Sequence, residues 1–181
     1  MTDSLSFSGS ADLDNGWAVT YNQAIDGGAA AGNTDIVVNM GDMGTYTFVK
    51  QGSSGPVSSW DDKTPSANEE SWGTAIVGTA DGPTNAAIGT NGFIYDYTVS
   101  DAIAIKAAYE PSRGTTQVDS STEIGVAYTG IDGLTIGAAT GENNAAAASL
   151  DISNMYVKYA ADAFTVGYQT SESDSEVQAL S

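Results

Sequence analysis

The sequence predicts an all-β chain, an antiparallel up-and-down transmembrane β-barrel, and three observations carry that expectation. Apolar and polar residues alternate with a period of two from one end to the other. Tight turns alternate with longer loops, the rhythm of a membrane barrel rather than a Greek-key sandwich. The two faces of each predicted strand also differ, one apolar and the other small and polar.

Leu5, Phe7, Gly9, Ala11 and Leu13 alternate with Ser6, Ser8, Ser10 and Asp12. The turn Asp14-Asn15-Gly16 follows, and alternation resumes at Trp17, Val19 and Tyr21. Asn-Gly and Asp-Gly turns between alternating runs are the strongest short-range hairpin signal. A second hairpin is expected from Ile36, Val38 and Met40 through Gly41-Asp42-Met43-Gly44 to Tyr46 and Phe48. Three further hairpins repeat one pattern, a tyrosine followed by a turn aspartate and a second strand. Their tyrosines, Tyr97, Tyr128 and Tyr159, stand 31 residues apart each time (128 − 97 and 159 − 128). Longer loops are expected to begin near Pro111, Gly141 and Ser171. The strands so read are 5–13, 17–25, 35–41, 45–50, 93–99, 102–110, 122–130, 133–141, 150–160 and 163–171.

One face carries Ile103, Ile105, Ala107 and Tyr109, then Leu134, Ile136 and Ala138, then Phe164, Val166 and Tyr168. The opposite face is Thr, Gly, Ala and Ser, which suits a water-filled lumen. A bulk-solvent surface would be dominated by Lys and Glu. Tyr97, Tyr128 and Tyr159 each precede a turn aspartate by three or four residues. They are therefore expected at one height, as an aromatic girdle at the headgroups.

Composition narrows the chemistry. Lys+Arg total 5 against Asp+Glu 23, a formal net charge of -18, which repels nucleic acid and anionic headgroups. Nine Tyr, four Phe and three Trp, spread through the apolar runs, argue against an acidic disordered chain. With no Cys and no His, disulfide frameworks, thiol nucleophiles, triad hydrolases and most zinc enzymes are excluded. No apolar run is long enough for a transmembrane helix.

The longest irregular stretch, 51–92, holds Trp60 and Trp72 beside the paired acids Asp61, Asp62, Glu69 and Glu70. Loops of this length are usually functional or disordered. As a glycosidase pair these carboxylates would need an apolar cleft that the sequence does not supply. As calcium ligands they have suitable chemistry but match no known spacing. As the acidic side of a channel constriction they suit the architecture, the indoles packing on the wall while the charges project into the passage. A solvated acidic loop is the remaining alternative. Lys106 and Lys158 fall on the lumen face, each four or five residues from a tight turn, and would form a basic wall opposite that loop. Lys50, Lys63 and Arg113 read as ordinary surface charges beside loops.

The hairpin at Asp14-Asn15-Gly16-Trp17, the segment Met40-Gly41-Asp42-Met43-Gly44-Thr45, the long 51–92 loop and the three Tyr…Asp hairpins together resemble the general porins of Gram-negative outer membranes. The marine alphaproteobacterial type is the most similar. That resemblance implies a single porin domain over 1–181, about ten strands of a sixteen-stranded barrel, with 51–92 as an in-folded constriction loop. It further implies passive diffusion of small hydrophilic solutes and ions, a homotrimer in outer-membrane lipid, and neither enzymatic activity nor a cofactor. The absence of a signal peptide, of a first strand and of a terminal aromatic makes an internal fragment the expectation. A second class remains open: a secreted, acidic, calcium-stabilised β-rich adhesin or surface-layer module. In that module Ile105, Val166 and Tyr168 would be core.

Overall fold

The structure is a computed structural model, and it describes residues 4–26, 30–51, 55–60, 63, 90–112, 119–144, 150–173 and 175–180. Among the described residues eleven strands form one sheet: β1 (Ser4–Asp12), β2 (Ala18–Asp26), β3 (Ala30–Asn39), β4 (Thr45–Gln51), β5 (Thr90–Ser100), β6 (Ile103–Glu110), β7 (Ser121–Ile131), β8 (Leu134–Asn143), β9 (Leu150–Ala161), β10 (Phe164–Ser173) and β11 (Ser175–Leu180). Every strand pairs antiparallel with its neighbours in sequence, in the order β1 to β11. This is the up-and-down topology that the period-two pattern predicts. Among the described residues β1 and β11 are not paired with each other, so the sheet is open along those edges.

Turn chemistry sets the hairpins. At the first, Leu13 N–H donates to Trp17 O (2.7 Å) and Gly16 N–H to Leu13 O (2.9 Å). Gly16 takes φ +84, and the Asn15 side chain accepts the Trp17 N–H at 3.1 Å. The second is closed by a single 3-10 turn, Gly41–Met43, between glycines at φ +65 and +88. At Asp132-Gly133 the glycine sits at φ +73, and an added Cβ would strike the Ala160 carbonyl. Left-handed backbone and close approach both require glycine there.

Two parts of the sequence reading need correction. Strand β3 starts at Ala30, five residues before the expected 35, so only residues 27–29 separate it from β2. Likewise β8 runs to Asn143, β10 to Ser173, and an eleventh strand follows within two residues. Long loops therefore do not alternate strictly with tight turns. The cause is that Ala-, Gly- and Ser-rich stretches look like loop by composition, yet ladder hydrogen bonds need only the backbone.

Register places the side chains on two consistent faces. One outward row runs Tyr97, Ile105, Val126, Ala138, Met155 and Thr170 across β5 to β10; the next runs Ile103, Tyr128, Ile136, Val157 and Tyr168. Among the described residues nineteen large hydrophobic side chains are exposed, more than a soluble surface of scattered single residues would show. The belt ends together on neighbouring strands: Thr122 faces Glu142, Glu142 faces Asp151, and Ser153 faces Glu172. From Phe164 to Glu172 is eight residues, roughly 26 Å of strand at ~3.3 Å each, or roughly 20 Å of height at the ~40° tilt of membrane-barrel strands, somewhat below their ~25 Å apolar band. Val166 and Tyr168 are exposed and Ile105 is half-buried, whereas a soluble module would have them as core.

Met155→Lys is accordingly expected to cost ~2–4 kcal/mol when the protein is unfolded from phospholipid bilayers, since lysine would sit midway along the apolar belt, between Asp151 and Tyr159. On a solvated surface the same change stays within about 0.5 kcal/mol. Denaturant titration in liposomes separates the two.

Candidate functional site: a strap across the inner face

The inner face is narrow-featured because its rows are built from small residues. Gly125, Gly137 and Gly167 lie inward, flanked by Ala108, Ala139 and Thr135. The described buried cluster lies on this side: Val49, Ile94, Ala108, Ala139, Ile152 and Tyr156, with Val57 and Trp60 from the long loop. That loop therefore folds over the inner wall, at least through residues 55–60 and 63.

The loop's fixed part is one helical turn, α1 (Pro56–Ser59), which touches β6, β7, β8 and β9. Pro56 stands at the first helical position, where its missing N–H costs nothing and its φ is already suitable. The first amide groups of so short a helix have no partners within it. The inner wall supplies one: Val57 N–H donates to the Glu123 carboxylate at 2.9 Å. Glu123 is only 3% exposed, so this hydrogen bond is shielded from competing water. At Gly55 an added Cβ would collide with that carboxylate, so the backbone approaches Glu123 because the residue is glycine.

Trp60 closes the turn, its N–H donating to Pro56 O at 3.1 Å. Its ring occupies the space over Gly125, where a Cβ would overlap the indole and come within 2.9 Å of Pro56 Cβ. Gly137 gives the Tyr156 ring the same kind of seat on the next strand. Three more contacts fix the strap. Lys106 Nζ donates to Ser59 Oγ at 3.1 Å and lies 3.8 Å from Asp96 Oδ1. Asn154 Nδ2 donates to Val57 O at 3.5 Å, and Lys63 N–H donates to Gln169 Oε1 at 3.3 Å. The strap is thus held at β6, β7, β9 and β10.

Of the residues singled out by sequence, Lys106 and Lys158 both fall on the inner face. Lys106 pairs across strands with Asp96 and Gly125, and Lys158 with Thr135 and Gly167. They are three strands apart, and Lys106 meets the strap whereas Lys158 has no ion pair among the described residues. Tyr97, Tyr128 and Tyr159 fall on the outward face, each one outward row further along than the last. Tyr159 packs against Phe164 with ring centroids 6.5 Å apart, and Tyr97 stacks on Tyr95 at 6.1 Å. Asp61, Asp62, Glu69, Glu70, Trp72 and Arg113 lie outside the described residues. Among the described residues no group of three or more acids is placed to hold a metal ion.

Lys63, read as an ordinary surface charge, is half-buried, and its backbone N–H lies against β10. Glu123, Gly125, Asn154 and Gln169 were not singled out by sequence at all. One signal was available for Glu123: within Ser121–Val126 it alternates inward with Gly125, so an acid falls on the small face beside a missing side chain.

No protein-family model matches the chain, and no curated protein sequence matches it. Among solved structures, the chain is similar to a mutant of Rhodopseudomonas blastica porin with 17% identity, a TM-score of 0.47, and coverage of 96% of this chain and 75% of that one. A second mutant of Rhodopseudomonas blastica porin is 18% identical at the same coverage, with a TM-score of 0.45. A triple mutant of that porin gives 18% and 0.45 over the same shares.

Proposed function

We propose that this chain forms the wall of a water-filled outer-membrane channel of the porin kind. Small hydrophilic solutes and ions would cross it by passive diffusion, with a mild preference for cations. The observation that carries the reading is the opposition of faces. An apolar belt bounded by Glu142, Asp151 and Glu172 lies on one side, and a small, polar wall crossed by an anchored strap lies on the other. Lipid suits the first, and water suits the second.

In this reading 51–92 is the constriction loop, and Asp61, Asp62, Glu69 and Glu70 supply the acidic side of the narrowing. Lys106 and Lys158 temper their field from the wall, and Tyr97, Tyr128 and Tyr159 anchor one headgroup boundary. The working unit is a homotrimer without enzymatic activity, and its lipid partner is the outer membrane.

Planar-bilayer recording tests this. Discrete conductance steps are expected, with cations favoured, and Asp61→Asn combined with Asp62→Asn should shift the reversal potential towards non-selectivity. Absence of steps contradicts the channel, and an unchanged reversal potential contradicts the role of those acids.

A further inference from the structure

On the inner wall, directly across the β9–β10 ladder from each other, stand Asn154 and Ser171. They are 2% and 1% exposed, and Asn154, beneath the strap, also pairs with Ala139 on β8. Asn154 Nδ2 faces the Val57 carbonyl, which fixes the amide's orientation, because the flipped amide would set two acceptors against each other. Among the described residues the other end, Asn154 Oδ1, has no hydrogen-bond partner, and neither has Ser171 Oγ. Buried polar atoms in folded proteins are nearly always satisfied, and two on facing residues share one remedy.

We propose that one ordered water molecule binds between Asn154 and Ser171. It donates to Asn154 Oδ1 and accepts the Ser171 hydroxyl proton, satisfying both atoms. Its structural effect passes through Asn154. With Oδ1 held by water, the amide nitrogen stays turned towards Val57, and Asn154 acts as a positioning residue for the strap. The strap would then be fixed directly over β6 and β7, and over β9 through a hydrated side chain.

Thermal unfolding of the whole chain gives opposite signs for a hydrated and a dry seam. With water present, Ser171→Ala strands both the water and Oδ1, so the melting temperature should fall by about 2–4 °C. In a dry seam the same change removes an unsatisfied hydroxyl, and the melting temperature rises or holds. In an Asn154→Leu background the effect of Ser171→Ala should vanish, since the shared partner is gone. A crystal structure that resolves ordered water should show one peak within hydrogen-bond distance of both side chains. A direct Ser171–Asn154 hydrogen bond, empty space between them, or a stabilising Ser171→Ala would each overturn the proposal.

Discussion

Gly125→Leu should drive the strap off the inner wall and widen the passage, leaving the sheet intact. The position has no room: a Cβ there already overlaps the Trp60 ring, and Pro56 stands behind it. Overpacking of this kind costs ~1–3 kcal/mol. The wall cannot relieve it, because Gly125 is laddered on both sides, to Lys106 and to Ala139. The strap can, since its anchors are a few hydrogen bonds and one indole. Larger single-channel conductance is therefore expected, with Trp60 emission shifted to the red in a variant lacking Trp17 and Trp72. Gly9→Leu is the control: a Cβ at Gly9 meets nothing within 4 Å, and the change should stay within about 0.5 kcal/mol. Unchanged conductance with Gly125→Leu would mean that the strap does not limit the passage.

Glu123→Leu should loosen the same strap from its other end. It removes the acceptor of Val57 N–H and leaves that buried amide unsatisfied, a loss of ~1–3 kcal/mol. A loss of ~1.4 kcal/mol speeds local opening about tenfold, and hydrogen exchange at Val57 reads it directly. Glu123→Gln keeps an acceptor oxygen and should fall between the two. If Val57 exchanges equally slowly in all three proteins, Glu123 is not what holds the turn.

Much of the fold was legible because turn chemistry and period-two patterning act locally. Asp14-Asn15-Gly16 and Asp132-Gly133 sit at turns whose positive φ favours their glycines, and the strands between follow from alternation. The start of β3 at Ala30 and the whole of β11 were not legible, since neither carries a strong apolar alternation and both exist through pairing with a neighbour. The strap was half legible. Its length and tryptophans marked it, and Trp60 does pack on the wall. Its seat depends on Glu123 and Gly125 lying on β7 opposite Gly55 and Trp60, more than sixty residues away in sequence, and only register brings them together. Lys106 could be assigned to its face by parity, but its partner Ser59 could not.

The central claim is that one face meets lipid and the other water. The chain has no cysteine, so a single introduced Cys can carry a nitroxide label at any chosen site. Met155→Cys and Val157→Cys report the outward face, and Thr135→Cys and Lys158→Cys the inner one. In lipid bilayers, paramagnetic relaxation should show positions 155 and 157 accessible to oxygen but shielded from a water-soluble nickel complex. Positions 135 and 158 should show the reverse. Nickel access at 155 and 157 equal to that at 135 and 158 would contradict a membrane-spanning wall.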